Sequence, residues 1–173
     1  ASCDTKIEVL IPDFKGDASS VKKVAKAKTD VFGHNIETVR RLYPAWRPGS
    51  NYDRSLGLLK MAKDAAPSQL TKSAILVGLG ETEEELVLAM KDLRNAACDI
   101  LTIGQYLRPN ADNLPVKRFV TPEEFERYES IGRGLGFKYV SSGTFVRSSY
   151  FAEEMYRKSK GRSNDGCCAA AAG

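Results

Sequence analysis

Five short apolar runs, each followed by a polar or amphipathic stretch, limit the possible folds of this chain. The runs are rich in Val, Ile and Leu, show no clean alternation of apolar and polar residues, and begin at Ile7, Asp30, Thr71, Asp99 and Phe137. Strands of a parallel sheet that is covered on both faces have this appearance. Because helical stretches separate the strands, we expect right-handed βαβ units and an α/β fold.

The stretches between the runs carry recognisable helix signals. Thr82 begins a capping box with Glu85, and Thr121 begins a second one with Pro122 at the first helical position. Further helices are predicted over residues 18–28, 53–65 and 151–160. We expect a structured part over residues 1–160, followed by a small and alanine-rich tail over residues 161–173 that is disordered.

Charge and cysteine content exclude several classes of protein. Lys and Arg total 26 against 22 Asp and Glu, so the net charge of +4 requires neither nucleic acid nor a membrane as a partner. No apolar run approaches the roughly 18 residues of a membrane-spanning helix, and no signal peptide is visible. The 4 cysteines contain no CxxC pair, which argues against a zinc site, and Cys98 is expected to be buried.

Polar residues and glycines follow the ends of all five predicted strands. Ligands of parallel α/β folds bind at the carboxyl ends of the strands, so these residues together predict one site. The candidates are Asp13 and Lys15 after the first run, His34, Asn35 and Glu37 after the second, Gly78, Gly80 and Glu81 after the third, Gln105, Tyr106 and Arg108 after the fourth, and Arg147, Ser148 and Ser149 after the fifth.

A purely structural interpretation stays open for each of these candidates. Asp13 is also suited to begin a turn, and a single histidine such as His34 is more often a satisfied core residue than a ligand. The GLGE sequence from Gly78 is weak as a motif, because tight turns between a strand and a helix also use glycine. For residues 147–150 the structural interpretation, a helix cap at Ser149, is narrowly favoured.

Six segments taken together resemble lipoyl synthases, which are radical S-adenosylmethionine enzymes. They occur in the order and spacing of that family and extend to about Lys158. The segments are IEVLIPDFKG from Ile7, VFGHNIETV from Val31, TKSAILVGLGETEEE from Thr71, DILTIGQYLRP from Asp99, LPVKRFVTPEEF from Leu114 and GTFVRSSY from Gly143.

The resemblance implies a partial TIM-like barrel of parallel strands, here without its first units. It also implies S-adenosylmethionine and two 4Fe–4S clusters as cofactors. In the family, a 5′-deoxyadenosyl radical removes hydrogen from C6 and C8 of an octanoyl group on a carrier-protein lysine, and the auxiliary cluster donates the sulfur atoms of the lipoyl product. The implied partner is an E2 domain or the glycine-cleavage H protein. The implied compartment is the cytoplasm in bacteria and a mitochondrion or plastid in eukaryotes.

The resemblance also implies roles for nine residues but assigns none of them as catalytic. Ser149 is implied as a ligand of the auxiliary cluster, oriented by Arg147 and Ser148 from a second shell. A serine oxygen binds such iron more weakly than a thiolate, which suits a cluster that is consumed. The residues implied to bind S-adenosylmethionine are Asn35, Glu37, Gly78, Gly80, Glu81 and Gln105.

One departure from the family predicts that this chain has no activity by itself. Neither of the family's two cysteine triplets, one of them CxxxCxxC, occurs in this sequence. We therefore expect the C-terminal part of a lipoyl synthase, inactive by itself. A non-catalytic half-barrel that binds a partner is the first alternative, and a nucleotide-binding domain that uses Gly78 and Gly80 is the second. Smaller departures are Gly33, Asn113 and Thr144, where the family commonly has Asn, His and Pro.

Overall fold

Five parallel strands form a single sheet in the computed structural model, which describes residues 5–149 and 152–160. The strands are β1 (Glu8–Leu10), β2 (Val31–Gly33), β3 (Leu70–Val77), β4 (Ile100–Gln105) and β5 (Tyr139–Gly143). Each strand pairs with the one before it in the chain, so the sheet order is β1-β2-β3-β4-β5. A doubly wound sheet reverses its order at a switch point, whereas a (β/α) barrel does not. The predicted barrel-like α/β architecture is confirmed.

All five predicted helices are present among the six α-helices of the described residues, with small shifts at their ends. The six are α1 (Ala18–Ala25), α2 (Tyr43–Trp46), α3 (Tyr52–Ala65), α4 (Glu83–Asn95), α5 (Pro122–Gly134) and α6 (Ala152–Lys160). Both capping boxes form as predicted. The first helix ends at Ala25 rather than at Lys28, and the single turn α2 was not predicted. The predicted tail, residues 161–173, lies outside the described residues.

The two faces of the sheet are covered by different helices. The outer face carries Ile75 and Leu101, which pack with residues of α3, α4 and α5 in the main core. The opposite face, called the inner face below, carries Leu70 and Ile100, which pack against Met155 of α6. Since alternate residues of a strand point to opposite faces, this assignment also places Lys72, Ala74, Thr102 and Gly104 on the inner face.

A buried ion pair lies between two of the strands. The Lys72 side chain is 2% exposed, and its Nζ donates to both carboxylate oxygens of Glu8 at 2.8 and 3.0 Å. This ion pair joins β1 to β3 across β2. Cys98 is fully buried, as predicted. No helix among the described residues has the length and apolar character needed to cross a membrane.

Candidate functional site

The segment after β2 continues along β3 and carries two of the predicted site residues, Asn35 and Glu37. The Glu37 amide donates to the Ala74 carbonyl at 3.0 Å, and the Leu76 amide donates to the Glu37 carbonyl at 2.7 Å. Glu37 has a φ of +67°, in the left-handed region that residues other than glycine seldom occupy. Backbone strain of this kind persists only where the surroundings impose it.

The side chains of Asn35 and Glu37 form one polar unit. Asn35 Nδ2 donates to Glu37 Oε1 at 3.2 Å, while Asn35 Oδ1 is buried and has no hydrogen-bond partner among the described residues. Burial raises the pKa of the Glu37 carboxyl, and the Asn35 hydrogen bond and the charge of Arg47 oppose that rise. The unit therefore presents one buried oxygen acceptor, Asn35 Oδ1, that no described residue uses.

The turn after β3 is held from within by Glu81. Its carboxylate accepts from the Gly78 amide at 2.6 Å and from the Leu79 amide at 2.9 Å, and the residue is 7% exposed. Gly78 and Gly80 have φ values of +95° and +103°, which favour glycine. A Cβ at Gly80 would meet Lys117 Cγ at 3.4 Å. The predicted turn exists, and both carboxylate oxygens of Glu81 are used in building it.

Gln105 at the end of β4 is fully buried and points to the outer face, since it pairs with Val77 of the main core. Its Nε2 donates to the carbonyls of Tyr106 and Arg118 at 3.0 and 3.1 Å, and its Oε1 accepts from the Val120 amide at 2.9 Å. The side chain thus fastens both ends of the loop between β4 and α5. Its contact with the cofactor stays a prediction.

Residues 144–149 fold back over the inner face of β4 at Gly104. A Cβ at Gly104 would lie 2.2 Å from the Val146 carbonyl oxygen and 3.0 Å from Arg147 Nη1. Arg147 Nη1 donates to the Val146 carbonyl at 2.7 Å, which shapes the segment locally. Ser148 is half-buried and Ser149 is exposed. Their roles at an auxiliary cluster stay predictions. The alternative, a helix cap at Ser149, involves residues 150 and 151, which lie outside the described residues.

Two arginines that the sequence did not single out join these segments. Arg41 donates to the Glu85 carboxylate at 2.6 and 2.9 Å and to the Gly80 carbonyl at 2.8 Å, so it ties the chain after β2 to the turn after β3. Arg47 Nη1 lies 3.3 Å from the Asn35 carbonyl oxygen. The sequence offered no signal for these contacts, because both depend on partners that are distant in the fold.

The structural interpretation holds for His34. Its Nδ1 lies 2.9 Å from the Ile11 carbonyl oxygen and its Nε2 lies 3.0 Å from Ser55 Oγ, and the residue is 1% exposed. Burial lowers the pKa of its imidazole. Asp13 pairs with Arg54 of α3 at 2.5 Å, which fixes the loop after β1. Both residues therefore fasten the segments that follow β1 and β2 to α3.

The donor set of the described residues does not fit an iron–sulfur cluster. Such clusters are held by several cysteine thiolates. Among the described residues, no group of three or more His, Cys, Asp and Glu side chains converges in a way that could hold a metal ion. Cys98 is buried in the main core, where burial raises the pKa of its thiol to about 12.

Comparison with known proteins identifies the family. Residues 2–93 match the family model of the Radical SAM superfamily. The chain is 57% identical over 149 residues to the lipoyl synthase of Rubrobacter xylanophilus, covering 86% of this chain and 46% of that protein. It is 50% identical over 155 residues to the mitochondrial lipoyl synthase of Medicago truncatula, covering 88% and 41%. The chain thus spans about half the length of the curated relatives that it matches.

A solved structure supports the fold alone. The chain resembles the crystal structure of methylornithine synthase with a TM-score of 0.50 and 17% sequence identity, over 80% of this chain and 48% of that one. Enzymes of the matched superfamily use S-adenosylmethionine together with an iron–sulfur cluster. The match of the family model to more than half of the residues, with the parallel sheet in sequential order, leads to one conclusion: the chain belongs to the radical SAM superfamily.

Proposed function

We propose that this chain is the C-terminal part of a lipoyl synthase, which inserts two sulfur atoms at C6 and C8 of a protein-bound octanoyl group. The observation that carries the proposal is the 57% sequence identity to a lipoyl synthase over 86% of the chain. The geometry supports it, since the segments after β2, β3 and β5 follow the carboxyl ends of parallel strands and therefore lie at the same end of the sheet. There the Arg147–Ser149 segment adjoins Gly104 of the inner face.

The residues after β2 fit S-adenosylmethionine. Asn35 Oδ1 is a buried acceptor without a partner among the described residues, and Glu37 is a half-buried carboxylate beside it. The two accept hydrogen bonds from the amino and hydroxyl groups of the cofactor. At the adjacent strand end, the Glu81 carboxylate binds the Gly78 and Leu79 amides and thereby holds the turn that contains Gly80. When bound, the cofactor supplies radical abstraction of hydrogen from an unactivated carbon.

The iron–sulfur clusters and the carrier protein of the complete enzyme lie outside the described residues. The complete protein holds two 4Fe–4S clusters, and neither of the family's cysteine triplets occurs in this sequence. The isolated chain is accordingly inactive. Its partner is an octanoylated E2 domain or glycine-cleavage H protein, with no nucleic acid or membrane involved. The compartment is the cytoplasm of a bacterium, or the mitochondrion or plastid of a eukaryote.

The test uses the complete product of the gene under anaerobic conditions. It is supplied with S-adenosylmethionine, a low-potential reductant and an octanoylated H protein, and the intact mass of the H protein is followed. With the complete protein, we expect two sulfur atoms to replace two hydrogen atoms of the octanoyl group on the H protein. With the 173-residue chain alone, we expect the mass of the H protein to stay unchanged. A complete protein that binds the H protein without altering it would establish the non-catalytic alternative instead.

Ser149→Ala separates the two halves of the reaction. Under the proposed role, cleavage of S-adenosylmethionine continues while lipoyl formation falls sharply, because the auxiliary cluster loses a ligand. Ser130→Ala, at an exposed serine on α5, serves as the matched control and keeps full lipoyl formation. Normal lipoyl formation by Ser149→Ala would remove Ser149 from the site.

A further inference from the structure

We propose that the loop between β4 and α5, residues 107–119, is the docking surface for the folded carrier domain that presents the octanoyl group. The loop receives that domain through the exposed side chains of Leu107 and Phe119 and through the positive charges of Arg108 and Lys117, which face acidic side chains of the carrier. The inference rests on the proposed function, since the octanoylated carrier is the partner which that function requires.

The docking loop is built as a rigid unit. Gln105 fastens both of its ends, as described above. Within the loop, the Tyr106 hydroxyl donates to the Leu114 carbonyl at 2.8 Å, and Arg108 Nε donates to the Asn113 carbonyl at 2.8 Å. Compact loops that are closed by their own side chains are frequently functional. A surface that is fixed before binding also loses little conformational freedom when a partner docks on it.

Two large apolar side chains of this loop are exposed near the carboxyl end of β4. Leu107 is 42% exposed and Phe119 is 69% exposed. The backbone on either side of Phe119 is anchored, because the Arg118 carbonyl and the Val120 amide both bind the Gln105 side chain. The loop therefore holds an aromatic side chain in solvent on a fixed backbone, and aromatic residues are enriched at protein–protein interfaces.

Carboxylates of the described residues leave much of the positive charge at this end of the sheet without a partner. Arg118 pairs with Glu124 at 2.8 Å, whereas the exposed Lys117 beside it forms no ion pair with a described residue. The guanidinium of Arg108 binds carbonyl oxygens of its own loop, in which Asp112 is the one acidic residue. The other cations at this end that lack a described carboxylate partner are Lys15, Arg47 and Arg147. Charge complementarity therefore favours a partner with an acidic face.

The reach of the octanoyl group requires its carrier to rest close to the site. From the Cα of the modified lysine to C6, an extended chain of eleven bonds spans about 13 Å. The docking loop adjoins the turn that is predicted to bind the cofactor, because the Lys117 amide donates to the Gly78 carbonyl at 2.8 Å. A Cβ at Gly80 would meet Lys117 Cγ at 3.4 Å. A folded domain whose lysine enters this site therefore has to rest on loops such as this one.

The experiment compares two substrates of the complete protein under anaerobic conditions. One is an octanoylated H protein, and the other is a short peptide that carries the same octanoyl-lysine but no folded surface. The rate of lipoyl formation in a single turnover is measured against the concentration of each substrate. The variants are Phe119→Ala, Phe119→Tyr and Lys117→Glu, the last of which keeps the Cβ and Cγ atoms beside Gly80. Leu88→Ala and Lys91→Glu, at exposed positions of α4, are the matched controls.

Phe119→Ala and Lys117→Glu should each raise the half-saturating concentration of the H protein about tenfold. The maximal rate and the results with the peptide should stay unchanged, as should all results with the two controls. The effect of Lys117→Glu should shrink as the salt concentration rises, because salt screens exposed charges, and Phe119→Tyr should behave as the unaltered protein does.

Two results would overturn the inference. Equal losses with the H protein and the peptide would show that the loop shapes the cofactor site rather than a docking surface. Unaltered half-saturation with the H protein would show that the carrier docks elsewhere, and a lowered melting temperature in the same variants would then indicate that another part of the complete protein covers the loop. An unaltered protein that converts neither substrate would refute the proposed function itself.

Discussion

Substituting Gly104 by alanine tests how closely the segment after β5 must seat on the sheet. The added Cβ would stand 2.2 Å from the Val146 carbonyl oxygen and 3.0 Å from Arg147 Nη1. Ordinary contact begins near 3.4 Å, so the carbonyl must withdraw by about 1 Å, carrying the Arg147–Ser149 segment with it. Overpacking of this kind costs about 1–3 kcal/mol. A displacement of about 1 Å in a positioned group reduces catalysis by about 100-fold.

Two assays separate the local displacement from a general loss of folding. Urea unfolding should show Gly104→Ala destabilised by about 1–3 kcal/mol, while lipoyl formation by the complete protein falls much further than cleavage of S-adenosylmethionine. Gly57→Ala in α3 is the matched control, because a Cβ there meets no atom within 4 Å. That substitution should stabilise the protein by about 0.5–1 kcal/mol. If Gly104→Ala retains both stability and lipoyl formation, residues 144–149 do not seat on β4 as described.

Three further outcomes follow from buried groups. Glu8→Leu removes the counter-charge and the acceptors of the buried Lys72 ammonium and should lower the free energy of unfolding by about 3–5 kcal/mol in urea, whereas Glu8→Leu combined with Lys72→Met should recover most of it. Glu81→Gln keeps the shape but replaces one of the two acceptor oxygens by an NH2 group, which cannot accept from the Gly78 or Leu79 amide. Thermal melting should therefore show a loss of about 1–3 kcal/mol, and an unchanged melt would contradict the internal role of this carboxylate. Burial raises the pKa of the Cys98 thiol from 9.0 to about 12, so its contribution to stability is complete below pH 9 and is lost as the pH rises towards 12; alkylation followed by mass spectrometry should find this thiol unreactive at pH 8 until the protein unfolds.

Local signals account for the parts of the fold that the sequence predicted. The capping boxes at Thr82 and Thr121 use atoms three residues apart, and both form as expected. The turn α2 was missed because its four residues, Tyr43–Trp46, are too few to show a helical period. The left-handed φ of Glu37 was missed for a related reason, since glutamate has no preference for that region and the neighbouring strand imposes it.

The candidate site was predicted in outline, while the direction in which each side chain points was not. Asn35 and Glu37 meet as an open pair of acceptors, which their spacing of two along an extended segment allows. Glu81 and Gln105 instead bind backbone groups of the chain itself. A motif specifies residue types along the sequence, whereas orientation depends on which face of the strand a residue occupies and on the loop that packs there.

The two buried glycines at the strand ends, Gly78 and Gly104, lie close against other parts of the protein. Gly78 looks like part of a cradle for a ligand, yet a Cβ there would lie 2.2 Å from Gln105 Nε2. The space beside Gly104, where a Cβ would lie, is likewise occupied by the Val146 carbonyl oxygen. Both glycines are therefore required by close approaches within the protein, which draw the loops after β4 and β5 onto the sheet. Asn35 Oδ1, by contrast, is a buried acceptor without a partner among the described residues, so we expect it to be available to a ligand at this end of the sheet.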